Sequence, residues 1–180
     1  MAISTDEARL EALFYDHFTA VRSYARRRAP EALVDDVVAE TFFVAWLKID
    51  RLPDDVRPWL LGVARKTLST QLRAARRRTS LIEKLKSAEL PEAFSQVDGS
   101  DSALVESLQS LSPTDQEVLA LAAWEELKPR EAAVVLGVSP ARYRVRLHRA
   151  KRRLLRELER SASSAGQPLP VPLTREGVAK

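Results

Sequence analysis

The chain has 180 residues, with 29 Lys plus Arg against 25 Asp plus Glu, two histidines and no cysteine. That length suits one domain or two small ones, and the missing thiols exclude disulfides, thiolate zinc sites, iron–sulfur clusters and any cysteine nucleophile. The formal charge of +4 names no partner by itself.

No stretch approaches the roughly 18 to 20 apolar residues of a membrane span, and Met1-Ala2-Ile3-Ser4 runs into Asp6 and Glu7 without an apolar leader. The expectation is a cytoplasmic protein with no membrane insertion. Five glycines, few aromatics and abundant Ala, Leu, Arg and Glu favour helix throughout.

Taken in chain order, Ser4-Thr5-Asp6-Glu7 offers a capping box. Leu10, Leu13, Phe14, Phe18, Val21 and Ala25 then recur at helical spacing up to Arg26-Arg27-Arg28 and Pro30. A second stripe, Leu33, Val37, Val38, Phe42, Ala45, Trp46 and Ile49, has Asp35, Asp36 and Glu40 on its other side. Pro53-Asp54-Asp55 breaks the chain. A third helix then starts near Val56-Arg57-Pro58, with Leu60, Val63, Ala64, Leu68 and Leu72 inward and Arg65, Lys66, Ser69 and Arg73 outward. These three helices make residues 1–78 one small domain.

Residues 79–101, with Pro91, Gly99, serines and acids, have linker composition. A second helical set covers 102–160. It begins with a helix from Ala103 to Leu111, followed by a helix capped by Ser112-Pro113 that runs through Glu126. Lys128-Pro129 opens a short helix from Arg130 to Leu136. Gly137-Val138-Ser139-Pro140 then turns into a long basic helix reaching Glu159, and the Pro-containing tail 161–180 is expected to be disordered. The fold class is therefore all-α, two small helical domains joined by a flexible linker.

Charge is distributed unevenly over these parts. Residues 81–127 carry 2 basic and 10 acidic side chains, whereas 128–160 carry 11 and 3. The net charge is a cancellation between blocks, as expected when one part faces a polyanion and another avoids it.

A short helix, a turn with glycine and a basic second helix form the helix-turn-helix arrangement, whose second helix enters the DNA major groove. Ala133 is small where the helices cross, Gly137 permits the turn and Ser139 caps the second helix. On a wheel, Tyr143, Leu147, Ala150, Leu154 and Leu158 share the core face. Val145, His148, Arg149, Arg152 and Arg156 lie opposite, with Arg142, Arg146 and Arg153 on one flank and Arg144 and Lys151 on the other. Arg149 has the geometry to donate two hydrogen bonds to a guanine. A solvated amphipathic helix would also carry such arginines, but the turn and caps make DNA binding the better reading.

Two stretches together resemble one family, the extracytoplasmic-function sigma factors of bacterial RNA polymerase. Asp35-Asp36-Val37-Val38-Ala39-Glu40-Thr41-Phe42-Phe43-Val44-Ala45-Trp46, followed by Arg57-Pro58-Trp59-Leu60-Leu61-Gly62-Val63-Ala64-Arg65, looks like region 2. Leu111-Ser112-Pro113 through Leu119, then Arg130 to Ser139, then Val145-Arg146-Leu147-His148-Arg149-Ala150, look like region 4.

The resemblance implies a non-enzymatic subunit without cofactor or metal. Its first domain docks on the β′ clamp helices of core RNA polymerase and opens the minus-ten element of promoter DNA. Its second sits on the β flap and reads the minus-thirty-five element. Carried over by position, Asp36, Glu40 and Phe43 belong to the core-binding surface. Arg57, Trp59, Arg65, Lys66, Ser69 and Arg73 face the minus-ten strand, and Arg142, Arg144, Val145, His148, Arg149 and Arg152 face the minus-thirty-five element. An anti-sigma factor is a further partner known in the family.

The chain departs from the family at Lys66, where Asn is frequent, at Ala39, where Gln is usual, and at Ala122, where some members have Arg. The linker has five acids and two lysines over Leu81 to Asp101, so in a nucleic-acid channel it would mimic the polyanion it displaces. A free-standing helix-turn-helix repressor or activator is the rival reading, and a protein-interaction module without DNA binding is a third. An enzyme is disfavoured by the lack of a phosphate-cradling glycine loop or metal cluster.

Overall fold

The computed structural model describes residues 5–82 and 102–165. Seven α-helices are described: α1 (Thr5–Arg26), α2 (Glu31–Trp46), α3 (Val56–Ile82), α4 (Ser102–Gln109), α5 (Pro113–Ala123), α6 (Pro129–Leu136) and α7 (Pro140–Ala165). A single 3₁₀ turn, Ile49–Arg51, lies between α2 and α3.

Proline and acid residues at the helix starts explain the boundaries. Asp6 and Glu7 sit in the first turn of α1 and Arg26 in its last, matching the helix dipole. Pro30 precedes α2 in extended conformation, and Glu31 begins it. At α5 the Asp115 N–H donates to Ser112 Oγ at 3.2 Å, with Pro113 in the first turn. Ser4 of the expected capping box lies outside the described residues.

Helices α1, α2 and α3 pack mutually. In the second half, α4, α5 and α6 each pack against α7. Val21, Tyr24, Val34, Val37, Ala45, Leu60, Leu61 and Ala64 fill the first half, while Val118, Ala120, Leu121, Ala132, Tyr143 and Ala150 fill the second. The hydroxyl of buried Thr41 donates to Val37 O at 2.7 Å, so it adds no unmet polar group inside α2.

Several boundaries differ from the expectation. Helix α3 continues to Ile82, four residues beyond the boundary at 78, and α7 continues to Ala165, into the segment expected to be disordered. In both cases the additional residues include good helix formers or small residues on an already established helix, where each added residue gains a bond without a new nucleus. Helix α5 stops at Ala123 instead of Glu126. Glu126 takes a left-handed φ of 53°, and the Leu127 N–H reaches back to Leu121 O at 3.1 Å, closing the helix. A left-handed residue with a Cβ is strained by about 1 to 2 kcal/mol. Replacing exposed Glu126 by glycine (Glu126→Gly) is therefore expected to raise stability by up to about 1 kcal/mol after the glycine's larger unfolded-state entropy is counted, read as a higher urea midpoint.

The largest difference concerns the two halves. Two small helical domains on a linker are the expectation, and what the sequence does not show is that they also pack on each other, α3 directly on α6. An added Cβ on Gly62 would lie 3.6 Å from Val135 Cα and 3.7 Å from Val134 O, ordinary contact distances that put the two helices side by side. The apolar core is continuous across this contact. The linker segment 83–101 itself lies outside the described residues.

Candidate nucleic-acid interface

The helix-turn-helix is built as its sequence predicts. The Lys128 N–H donates to Glu131 Oε2 at 2.7 Å at the start of α6, and buried Ala133 allows α7 to cross closely. Gly137 ends α6 at φ 64° and ψ 40°, its N–H reaching Val134 O at 3.1 Å and the next N–H reaching Ala133 O at 3.0 Å. Nothing lies within 4 Å of a Cβ added there, so the requirement for glycine is purely conformational. Gly137→Ala should cost about 1 kcal/mol and Gly137→Asn less, because Asn tolerates the left-handed region. Urea midpoints of the two variants test this.

Helix α7 begins with the Arg142 N–H donating to Ser139 Oγ at 3.2 Å. Tyr143 and Ala150 are fully buried, and Leu147 and Leu154 pack against the core. The Tyr143 hydroxyl donates to Val118 O at 3.1 Å, fixing α7 against α5. Arg153 forms an ion pair with Asp115, whose N–H donates to, and whose carboxylate accepts from, the hydroxyl of the α5 cap residue Ser112. Arg142, Arg144, Val145, His148, Arg149 and Arg152 all remain exposed. Val145, half exposed at 50%, is the apolar member of that face, suited to contact a thymine methyl among arginines.

Burial, and secondarily the charge of Glu117, push the Tyr143 phenol up to about 12. Burial and Glu117 likewise push the Tyr24 phenol well above its ordinary value, with Arg28 pulling it partly back. Both phenols are held neutral in the fold, so their stabilising contribution is fully present below the ordinary phenol pKa of about 10, and that of Tyr143 is lost as pH rises through about 12. Unfolding measured from pH 8 to 12 should show stability falling above pH ~10, and Tyr143→Phe should flatten that fall.

The face assigned to the minus-ten strand lies on α3. Arg65, Lys66, Ser69 and Arg73 are exposed, and Trp59 is half-buried. Arg73 folds back onto its own helix, donating from Nε to Ser69 O and from Nη2 to Ser69 Oγ, both at 3.0 Å. Trp59, Gly62, Val63, Arg65 and Lys66 line a small cavity whose other wall is Val134 to Gly137 of α6. Arg57 points elsewhere: its Nη2 donates to Glu125 O at 3.0 Å, placing it in the contact between the halves. The side chains of Arg76 and Arg78 lie outside the described residues.

On α2, exposed Asp36, Glu40 and Phe43 fall at steps of four and three along one face. Phe43 is 59% exposed and borders a groove of about 540 Å³ lined by Leu10, Phe14, Phe42 and Trp46, with Glu7 and Glu11 at its rim. The loop that follows α2 is anchored from α1, where Arg9 Nη2 donates to Ile49 O at 3.0 Å.

One cluster was not anticipated from the sequence. Arg28 is 5% exposed and Glu125 2%, and they pair at 2.9 Å. Arg28 Nε also donates to Glu117 at 2.7 Å, Arg27 donates to Glu125 at 2.7 Å, and the Tyr24 hydroxyl donates to Glu117 at 2.9 Å. The Arg28 guanidinium lies 3.7 Å over the Tyr24 ring. Burial opposes the charge on Arg28, but Tyr24, Glu117 and Glu125 outweigh it and hold its pKa above the ordinary value. The available signal was complementary charge: an arginine run ending α1 and an acidic block around α5.

Among the described residues no group of three or more His, Cys, Asp or Glu is arranged to hold a metal ion, and no helix is long and apolar enough to cross a membrane. Comparison with known proteins gives a consistent answer. Residues 13–78 match Sigma-70 region 2, and residues 101–154 match Sigma-70, region 4. The RNA polymerase sigma factor CarQ of Myxococcus xanthus is 30% identical over 83% of this chain and 90% of its own length. The ECF RNA polymerase sigma factor SigL of Mycobacterium tuberculosis is 29% identical over 85% and 90%. Among solved structures, the sigma factor RpoE in complex with the anti-sigma factor NepR from Bartonella quintana superposes with a TM-score of 0.61, at 21% identity, over 83% of this chain and 96% of that one. CnrH in complex with the cytosolic domain of CnrY gives 0.58 at 27% identity, over 84% and 88%.

Proposed function

The chain belongs to the extracytoplasmic-function class of the sigma-70 family, and from that premise we propose how its residues divide the work of promoter-specific initiation. It is a sigma factor that binds core RNA polymerase and promoter DNA. In our reading it is a cytoplasmic, non-enzymatic subunit: residues 1–78 form the region 2 domain, 79–101 the linker, 102–160 the region 4 domain and 161–180 a tail.

Arg144, Val145, His148 and Arg149 read base edges of the minus-thirty-five element, while Arg142 and Arg152 meet phosphates. On α3, Trp59 stacks an unpaired base of the minus-ten strand and Arg65, Lys66 and Arg73 hold its phosphates, offsetting the few kcal/mol that unpairing costs. Ser69 orients Arg73, as its two hydrogen bonds to that residue suggest. Asp36 and Glu40 offer carboxylates, and Phe43 an apolar contact, to the clamp helices of β′. The β flap receives the second domain. An anti-sigma factor is the inhibitory partner we propose, and the apolar groove beside Phe43 offers it surface.

The observation that carries this reading is a capped helix-turn-helix with six exposed reader residues on α7, in one chain with the exposed Asp36–Glu40–Phe43 face on α2. The test mixes the purified chain with sigma-free core polymerase and a pool of genomic promoter fragments, and sequences the 5′ ends of the transcripts. Transcripts starting at a shared motif are expected. Tight operator binding without core would favour a repressor, and failure to bind core would overturn the reading. Phe43→Ala should weaken core association several-fold while leaving the fold intact, because its ring is more than half exposed.

A further inference from the structure

The loop between α2 and α3 is held from outside the segment that matches region 2. That match begins at residue 13, and Arg9 stands ahead of it in the second turn of α1. Its Nη2 donates to Ile49 O at 3.0 Å, and its Nη1 faces the carboxylates of Asp50 at 3.5 Å and Asp6 at 3.8 Å. One planar guanidinium thus ties the start of α1 to the start of the loop, serving a carbonyl and a carboxylate from separate nitrogens.

The sequence explains why the loop needs a donor from elsewhere. A carbonyl in a helical turn ordinarily accepts from the N–H four residues on, and four residues after Ile49 stands Pro53, which has none. The 3₁₀ turn closes from Arg51 N–H to Lys48 O at 2.8 Å, and Leu52 then turns extended at φ −66° and ψ 141°. Ile49 is buried and Leu52 packs against the core, so apolar side chains fix the inner edge of the loop while Arg9 fixes its backbone. Arg9 and Asp50 are 50% and 79% exposed, and pairs open to water contribute little to stability. Their effect is on geometry.

The loop runs from α2, which bears Glu40 and Phe43, to α3, which bears Trp59, and Arg51, Asp54 and Asp55 are exposed along it. A base taken out of its stack presents an aromatic face and a polar edge, and reading the edge needs donors and acceptors held in place. Trp59 supplies the stacking face, and the three exposed loop residues are polar groups that directly precede it in the chain. Resting on the sigma-factor reading, we propose that Arg9 is a positioning residue for minus-ten recognition: without touching DNA, it fixes through Ile49 O and Asp50 the loop whose polar side chains select the unpaired base.

Arg9→Met keeps an unbranched side chain and removes the donors, whereas Arg9→Lys keeps the charge and one donating nitrogen. In the free protein, amide exchange over residues 47–56 should run at least about threefold faster in Arg9→Met than in the parent, and return most of the way in Arg9→Lys. Each holoenzyme is then given promoters randomised in the minus-ten element and, in a second set, in the minus-thirty-five element, and the transcripts are sequenced. Arg9→Met should lose about fivefold in discrimination at one minus-ten base, with core affinity and minus-thirty-five preference unchanged. Asp50→Asn should shift the same base less, and add nothing on top of Arg9→Met, because both act through one loop.

Unchanged exchange in Arg9→Met overturns the anchor, and faster exchange with an unchanged minus-ten preference overturns the positioning role. An equal loss on every sequence would put Arg9 on a phosphate, and weaker binding to core with base preference intact would put it on the core-binding face. Either result overturns the proposal. Failure of the parent to give promoter-dependent transcripts with core would instead overturn the sigma-factor reading, and the exchange measurement still decides whether Arg9 holds the loop.

Discussion

Arg149→Ala is expected to weaken recognition at one base pair of the minus-thirty-five element by roughly 1 to 3 kcal/mol, about five- to a hundred-and-fiftyfold in relative affinity. The loss should be confined to that position. Arg149 lies exposed on α7, opposite buried Tyr143 and Ala150, so its guanidinium is free to meet a guanine edge with two parallel donors. Arg153→Ala is the informative contrast, because that arginine pairs with Asp115 beside the start of α5. Its removal should leave base preference unchanged and lower stability by up to roughly 1 kcal/mol, the ordinary worth of a half-exposed pair. Binding of the holoenzyme to a promoter set with single base changes measures both. Equal losses across all sequences from both variants would mean that Arg149 touches only phosphate.

Arg28→Met is expected to have the largest effect on the conformation of the free protein. It leaves Glu117 with only the Tyr24 hydroxyl and Glu125 with Arg27 among the partners seen in this nearly dry site, and removing one partner of a buried ionic group costs about 3 to 5 kcal/mol. The two halves nevertheless have a way out. By separating, they return both carboxylates to water, so the loss is capped at the free energy of opening. The expected result is a larger radius of gyration by solution scattering, with helix content retained. Arg22→Met serves as the control, since Arg22 makes only surface pairs with Glu31 and Asp35 at 3.6 and 3.9 Å, and should change stability by less than about 1 kcal/mol. An unchanged radius for Arg28→Met would mean that the apolar α3–α6 contact holds the halves without the ionic group.

The helices were legible because their local signals agree. Apolar spacing, Pro30, Ser112-Pro113 and Gly137 to Pro140 each specify a boundary through short-range chemistry, and the exposed face of α7 follows from its wheel. The helix ends at Ile82 and Ala165 were less legible, since no strong breaker marks them. The association of the halves was not legible at all. Arg28 and Glu125 stand 97 positions apart, and a charge at the end of α1 is equally well explained by the helix dipole or by solvent. Arg57 was expected at the minus-ten face because it sits at the start of α3, yet its hydrogen bond goes to the Glu125 carbonyl. Gly62 carried the one usable hint. A glycine inside a helix costs about 1 kcal/mol relative to alanine and often marks a face turned to another element, as here, although a Cβ would still meet α6 at ordinary contact distances.

The division of labour on α7 has a consequence for how such a protein can diverge. Its inward residues Tyr143 and Ala150 carry the packing and hydrogen bond, and Arg153 on its flank the ion pair, that tie the helix down. Arg144, Val145, His148 and Arg149 are exposed and support none of that framework. Substitutions at such positions typically change stability by no more than about 0.5 kcal/mol. Duplicated copies of this chain can therefore acquire new target sequences one side chain at a time, with the folded scaffold inherited unchanged at every step.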